Sequence, residues 1–286
     1  MEIVHSKTLD FIPPGLKHRG SGIAFKDLFL GDEGTPENFL FTVTHQTVFF
    51  SPRHKHNFEQ FRYALQGDVS LGPDIILREG ELSYHPEGVE YGPQNDSEGE
   101  RKVLILQFGG PSGQGFLSYA QLERGQEELN RLGRFEKGKY YAADGSEPKD
   151  GFQALWEYYS GRPLEYPPPR YNAPIIIKPA NFAWTPVEGA SGVYKKILGV
   201  FTERVTVAEM IKIEAGGRLQ VAAQNAIQLF FVLKGEGQAD GVNIEAESAL
   251  RLQPGTGVSL TSVSSIEIIH FVLPMLSKPA QNGHAA

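Results

Sequence analysis

The sequence predicts a mainly β protein made of two similar halves. Short runs rich in Val, Ile, Leu, Phe and Tyr recur from residue 23 to residue 110 and return after residue 190, with Gly, Pro or Asp between them. This pattern is typical of an antiparallel meander or barrel and not of βαβ alternation. The halves also resemble each other, because residues 60–67 (QFRYALQG) align with residues 228–235 (QLFFVLKG). We therefore predict an internal duplication with a period of about 170 residues.

The segment between the two β-rich regions has a different character. Leucine and alanine at roughly helical spacing predict a helix between Phe116 and Phe135, and a second, short helix is expected from Asp150 to Tyr159. The prolines of residues 162–170 exclude helix and central strand, since they lack backbone donors. The predicted boundaries are an N-terminal barrel with connecting helices at 1–160, a proline-rich linker at 161–172, a C-terminal barrel at 173–275 and a flexible tail at 276–286.

Composition excludes several functions. The chain of 286 residues carries 27 basic and 34 acidic side chains, a net charge of −7, which argues against nucleic-acid or anionic-membrane partners. It has no cysteine, so thiolate metal sites and cysteine nucleophiles are excluded. No signal-peptide pattern and no apolar run of about 18 residues is present. We expect a cytoplasmic protein whose partner is a small molecule.

Two histidines one residue apart open the most informative stretch. His54 and His56 are followed by Gln60 and, seven residues after that, by a glycine. Residues 80–95 (GELSYHPEGVEYGPQN) then contain a glycine, a Pro-x-Gly turn and Tyr91 three residues after the turn's glycine. These spacings resemble the two sequence motifs of the cupin superfamily. Because the chain is duplicated, it resembles a bicupin.

The resemblance implies a fold and a ligand set. The implied fold is mainly β, with two tandem cupin-type barrels (double-stranded β-helix, jelly roll) and one or two short helices between them. Gln60 stands where the family's first motif usually has glutamate, and Tyr91 where the second usually has histidine. In the second half, the four corresponding positions are Ala222, Gln224, Gln228 and Ser259. We therefore expect a C-terminal barrel that holds no metal and serves packing or a homodimer interface.

Strand alternation predicts which side chains share the site. If one strand runs unbroken through the first motif, His54, His56, Gln60 and Arg62 face the barrel interior, and Glu59 faces outward. Imidazoles suit a divalent transition metal such as Fe(II), with an oxygen of Gln60 as a weaker contact.

Two further side chains are candidate ligands. Tyr91 is a candidate as phenolate, since a nearby cation favours loss of its proton, and His85 is a candidate if the second motif is locally shifted. The alternative is that the histidine pair has kept the family spacing without an ion, hydrogen-bonded to Gln60, Tyr91 or water.

Arg62 has its own significance. A guanidinium inside a barrel cannot lose its charge and needs an anionic partner, for which a substrate carboxylate or enolate is a candidate.

The favoured function is a metal-dependent enzyme of dioxygenase or lyase type, acting on a small organic molecule in the N-terminal barrel. One alternative is a metal-independent isomerase, cyclase or lyase that uses Tyr91, His54, His56 and Arg62. The other is a non-catalytic, ligand-binding bicupin.

Overall fold

A computed structural model describes residues 1–13, 22–136, 138–202 and 204–274. The predicted tail at 276–286 lies outside these residues. The described chain is mostly β, which confirms the predicted fold class. None of its helices is long and apolar enough to cross a membrane.

Two α-helices lie where the sequence predicts them. Helix α1 spans Tyr119–Leu132, and its first turn is capped by Ser118 and Gln121 in a reciprocal capping box. Helix α2 spans Gly151–Ser160, begins at the Asp150 cap and ends at Gly161 in the left-handed conformation. Two short 3-10 turns lie at Ser6–Thr8 and Pro179–Asn181.

The strands are numbered in chain order and are given as two series, one before and one after the proline-rich residues. The first series is β1 Glu2–His5, β2 Ile23–Leu30, β3 Phe39–Gln46, β4 Phe49–Ser51, β5 Glu59–Gln66, β6 Val69–Gly72, β7 Ile75–Leu77, β8 Leu82–His85, β9 Gln94–Asp96, β10 Arg101–Phe108, β11 Gly133–Glu136, β12 Lys139–Ala142 and β13 Lys149–Asp150. The second is β14 Ile175–Ile177, β15 Thr185–Pro186, β16 Val193–Phe201, β17 Thr206–Ile213, β18 Arg218–Val221, β19 Gln228–Lys234, β20 Glu236–Ala239, β21 Val242–Glu245, β22 Ser248–Leu252, β23 Val258–Ser262 and β24 Ile266–Val272.

The chain forms two compact units. Within the described chain, one contains residues 11–79 and 83–176, and the other contains residues 1–10, 80–82 and 177 onward. The sequence-based boundaries differ from this division at residues 1–10 and 80–82, at the proline-rich residues and at residues 173–176. Strand β1 pairs with β22 and so belongs to the C-terminal unit. The proline-rich residues belong to the N-terminal unit.

The main sheets of the two units repeat the same strand order. In the N-terminal unit the order is β14-β8-β5-β10-β3-β2, and in the C-terminal unit it is β1-β22-β19-β24-β17-β16-β15. The strand that carries the end of the first motif, β5, therefore corresponds to β19, and the strands on either side correspond as well. This shared order is what an internal duplication produces.

Buried apolar side chains form a core in the N-terminal barrel next to the polar motif residues of β5. Ala64 on β5 and Val103 and Ile105 on β10 form one buried cluster with side chains from β6 and β7. Gln60 and Arg62 lie on β5 two and four positions before Ala64 and are buried as well. Polar and apolar side chains of the same strand therefore share the interior of this unit.

The proline-rich residues 161–174 contain no helix or strand, yet they are anchored to the N-terminal unit. Arg170 pairs with Glu59 and with Glu87, each at 3.3 Å, and both carboxylates are buried. Glu59, which strand alternation predicts on the face opposite Gln60 and Arg62, is fully buried against Arg170. A Cβ on Gly88 would lie 2.3 Å from the Pro167 oxygen, so the segment packs closely there.

Arg170 is expected to stabilise the N-terminal unit. Arg170→Met leaves Glu59 and Glu87 without their cation and should lower the free energy of unfolding by about 3 kcal/mol at pH 8. Burial raises the pKa of the Glu87 carboxyl, which Ser112 and Arg170 partly oppose. The variant removes the interaction with Arg170, so the pKa of Glu87 in the folded state rises further. Protonation of Glu87 then relieves part of the destabilisation, and the loss of unfolding free energy should be smaller at pH 5 than at pH 8.

Urea denaturation at the two pH values measures this difference. The control is Arg162→Met, which removes an exposed arginine of the same segment whose guanidinium donates to the carbonyls of Gly113 and Gln114. An equal loss in both variants would contradict the role given to Arg170.

Candidate active site

The Tyr91 hydroxyl is the meeting point of the first and second motifs. It lies within hydrogen-bond distance of two imidazoles, one guanidinium and one amide. The distances from its oxygen are 3.0 Å to His54 Nε2, 2.8 Å to His56 Nε2, 2.9 Å to Arg62 Nη2 and 3.4 Å to Gln60 Nε2. We call these five residues the Tyr91 centre. Its members come from two sequence stretches about thirty residues apart.

The histidines reach this centre by a different route from the one predicted. Strand β5 begins at Glu59, so His54 and His56 do not extend it. Instead, the backbone of His54 pairs with that of Tyr91 through two hydrogen bonds of 3.0 Å. The carbonyl of His56 accepts a hydrogen bond from the Gly88 amide at 2.8 Å. The first motif is therefore held by the turn of the second motif.

His54 has a defined tautomer when its ring is neutral. Its Nδ1 lies 2.7 Å from the carbonyl oxygen of Pro52, which can only accept a hydrogen bond, so Nδ1 carries the proton. The Nε2 atom then has a lone pair directed at the Tyr91 hydroxyl. Tyr91 can accordingly donate its proton to His54 while its oxygen accepts a hydrogen bond from Arg62.

Arg62 is a buried cation whose direct partners are neutral. Its side chain donates to Tyr91 and, at 3.3 Å, to the Gln94 oxygen, and its guanidinium carbon lies 5.1 Å from the centre of the Tyr91 ring. The residue is only 9% exposed, and its Nε has no hydrogen-bond partner. No ion pair among the described residues includes Arg62. Leaving a buried charge without a counterion costs roughly 3–5 kcal/mol, so an anionic ligand here is favoured.

Three buried glutamines form hydrogen bonds with members of the Tyr91 centre or with one another. Gln107 on β10 donates to the Gln60 oxygen at 2.7 Å. Gln94 on β9 donates to the Gln46 oxygen at 2.8 Å. All of these side chains are buried. Gln46, Gln94 and Gln107 are not among the site residues predicted from the sequence, although Gln46 and Gln107 lie in strand patterns of mostly apolar side chains.

His85 is buried beside the centre but is not connected to it by a hydrogen bond. Its Nε2 lies 2.9 Å from the Ser83 hydroxyl, and its Nδ1 has no partner within the described part of the chain. Its ring meets the Tyr91 ring edge to face, with centroids 4.4 Å apart. Burial, followed by the charges of Arg62 and His54, holds the pKa of His85 well below its usual range. This geometry favours a neutral wall residue over a third ligand.

The donor set does not fit a resident divalent cation. Two imidazole nitrogens suit a transition metal, and anchoring of His54 on a carbonyl is common for metal ligands. However, no group of three or more His, Asp or Glu side chains placed to hold a metal occurs in the described residues. Gln60 directs its NH₂ group to the centre and its oxygen to Gln107. The Arg62 guanidinium, 2.9 Å from the Tyr91 oxygen, repels a further cation.

The corresponding positions of the C-terminal barrel form no such centre within the described residues. Gln228 donates to the Ala222 carbonyl and accepts from Gln224, so the two glutamines bond locally. Ser259, the predicted counterpart of Tyr91, accepts a hydrogen bond from Arg218 at an exposed position.

Comparison with known proteins supports the fold. No protein-family model and no curated protein matches the chain. Several solved structures are similar to the chain. A Nostoc punctiforme protein provisionally assigned as a dioxygenase is 13% identical, with a TM-score of 0.64 over 98% of this chain and 84% of that chain. A deletion mutant of Bacillus subtilis oxalate decarboxylase is 15% identical, with a TM-score of 0.55 over 94% of this chain and 76% of that chain. A mutant of salicylate 1,2-dioxygenase from Pseudoaminobacter salicylatoxidans is 16% identical, with a TM-score of 0.51 over 83% of this chain and 70% of that chain.

These neighbours are cupin-fold proteins, and the chain has the cupin fold that its motifs indicated. It is a bicupin by fold, with its cluster of convergent polar side chains at the first-motif position of the N-terminal barrel. At these identities the likeness concerns the fold alone.

The tautomer of His54 can be observed directly. Long-range ¹H–¹⁵N correlation spectra should show a neutral His54 ring protonated at Nδ1, because the Pro52 carbonyl accepts from that atom. Removal of the Tyr91 hydroxyl in Tyr91→Phe should shift the Nε2 resonance and leave that of Nδ1 nearly unchanged. His5, distant in sequence and bonded to Ser248, serves as the reference signal. Protonation at Nε2 in the parent protein would contradict the assigned hydrogen-bond directions.

Proposed function

We propose that the protein is a metal-independent enzyme that moves a proton on a small organic anion, as an isomerase, cyclase or lyase does. The observation that carries this proposal is the Tyr91 hydroxyl, placed between the His54 Nε2 lone pair and the Arg62 guanidinium. A hydroxyl with a proton acceptor on one side and a fixed cation on the other can transfer a proton without building up unpaired charge.

The proposed step conserves protons and electron pairs. The Tyr91 oxygen takes a proton from a substrate carbon next to a carbonyl group while the hydroxyl's own proton passes to His54 Nε2. The electron pair of the broken C–H bond moves to the carbonyl oxygen, and the resulting enolate is paired with Arg62. Return of a proton at another carbon gives an isomerase, loss of a leaving group gives a lyase, and attack on a carbonyl within the substrate gives a cyclase.

Other residues assist without reacting. The Pro52 carbonyl accepts a hydrogen bond from Nδ1 of His54 and so stabilises the imidazolium that this step forms. His56 and Gln60 hold the Tyr91 oxygen in place. Phe58 stacks on the His56 ring at a centroid distance of 4.3 Å and contacts Phe116, giving an apolar wall on that side.

The charge of the substrate is supported by two observations. Arg62 is buried with neutral partners, so it favours an anion. Two structural neighbours are named for small carboxylates, salicylate and oxalate. We infer that the substrate carries a carboxylate or an equivalent anionic oxygen near its reacting carbon.

Hydrogen exchange in D₂O tests the reaction even when its product is not identified. Small 2-oxo and 3-oxo acids and aryl ketones with a carboxylate are incubated with the enzyme, and C–H to C–D exchange is followed by ¹H NMR. Tyr91→Phe should slow the exchange by about 10²–10⁴-fold, the usual contribution of a general acid–base group. Tyr140→Phe, which removes a hydroxyl bonded to the Leu129 carbonyl far along the chain, should leave the rate unchanged.

Elemental analysis of untagged protein decides between this proposal and the metal-dependent enzyme predicted from the sequence. Exchange by protein that contains no stoichiometric transition metal supports the proposal. Near-stoichiometric Fe, Mn, Ni, Cu or Zn that is lost in both His54→Ala and His56→Ala, together with loss of activity after chelation, would overturn it. Unchanged exchange in Tyr91→Phe would overturn it as well.

A further inference from the structure

The buried carboxylate that follows Gln94 on strand β9 is engaged away from Arg62. Asp96 lies at the end of this strand, and its Oδ1 accepts from the Ser70 amide at 3.2 Å and lies 3.5 Å from Arg101 Nε. Arg101 is held in turn by four backbone carbonyls around the neighbouring turns. The negative charge of Asp96 is therefore matched with Arg101.

Gln94 separates Asp96 from Arg62. Gln94 and Asp96 lie two positions apart on β9, and the Gln94 amide reaches both the Asp96 carboxylate and the Arg62 guanidinium. Its NH₂ group donates to Asp96 Oδ2 at 2.7 Å and to Gln46 at 2.8 Å, while its oxygen accepts from Arg62 Nη1 at 3.3 Å. Gln94 is only 3% exposed, and these contacts fix the direction of its amide.

A neutral amide at this position has a specific consequence. If residue 94 were a carboxylate of the same shape, it would pair directly with Arg62 and neutralise it. The amide meets the guanidinium with a carbonyl oxygen of similar geometry but carries no charge. Arg62 is thus oriented from one side, and its positive charge is left for a group on the side of Tyr91.

We propose that Gln94 determines specificity by keeping Arg62 un-neutralised, so that the N-terminal barrel selects small carboxylates over neutral molecules of the same shape. This inference rests on the proposed function for the identity of the site. It adds the residue that sets the charge of the substrate. Gln94 acts through Arg62 and is a positioning residue, not a catalytic one.

The test moves the carboxylate from position 96 to position 94. The double variant Gln94→Glu/Asp96→Asn keeps the net charge of the chain but places the carboxylate against Arg62. The matched control, Asp96→Asn alone, removes the same carboxylate from position 96 and leaves Gln94 in place. Isothermal titration with malonate and with benzoate measures anion binding, and malonamide and benzamide are the neutral probes.

The expected result is a loss specific to the double variant. It should bind the two anions at least about tenfold more weakly than the parent, since the charge-assisted pair with Arg62 is already taken. Asp96→Asn should stay within about threefold of the parent, and Arg62→Gln should bind neither anion. If the double variant does not fold, as judged by thermal unfolding, Gln94→Glu alone at pH 8 replaces it with the same expected loss.

The outcomes separate this inference from the proposed function. Equal anion affinity in the double variant and the parent, an equal loss in Asp96→Asn, or no binding of either anion by the parent would overturn the role of Gln94. The binding measurement needs no turnover. Anion binding with the expected dependence in protein that catalyses no hydrogen exchange would retain the role of Gln94 and reject the proton-transfer function.

Discussion

The buried positive charge of Arg62 is the constraint on which the rest of the N-terminal site depends. A guanidinium cannot be neutralised by losing its proton, so the barrel must satisfy it with hydrogen-bond acceptors or with an anion. The side-chain acceptors for Arg62 in the described residues are the phenol oxygen of Tyr91 and the amide oxygen of Gln94, and both are neutral. Besides Arg62, the partners of the Tyr91 oxygen are two imidazoles and one amide. A divalent cation in the same space would be repelled by Arg62.

The surrounding charges are paired with one another and not with Arg62. Arg170 is placed between the buried carboxylates of Glu59 and Glu87, and Arg101 is placed against Asp96. These three carboxylates are therefore paired with two cations, Arg170 for Glu59 and Glu87 and Arg101 for Asp96. A buried charge without a counterion is costly, so an anionic ligand beside Arg62 would be favoured. The pattern of paired and unpaired charges points to the same place as the convergence of side chains on Tyr91.

The C-terminal barrel has the same fold, but the buried carboxylate of Glu209 there is paired with His270 and Lys195. Phe230 stands at the strand position that corresponds to Arg62, and its ring stacks on His270 at a centroid distance of 4.1 Å. His270 and Lys195 both contact the Glu209 carboxylate at 2.8 Å, so the buried charges there are compensated within the protein. A large apolar cluster fills the interior of this barrel. In the described residues, one barrel thus holds the Arg62 cation without an ion pair, and the other pairs Lys195 and His270 with Glu209.

The sequence by itself determined the β class, the duplicated barrels, the two helices and the membership of His54, His56, Gln60, Arg62 and Tyr91 in one site. These follow from local periodicity and from motif spacing, which the chain records directly. Only the tertiary structure decided how these residues meet, because hydrogen-bond direction and burial depend on strands distant in sequence. In the folded chain, Glu59 pairs with Arg170 and His85 hydrogen-bonds to Ser83. The Gln94 amide hydrogen-bonds to both Arg62 and Asp96. Local sequence patterns cannot predict which buried charges are paired, because the partners of each charged side chain come from strands that are distant in sequence.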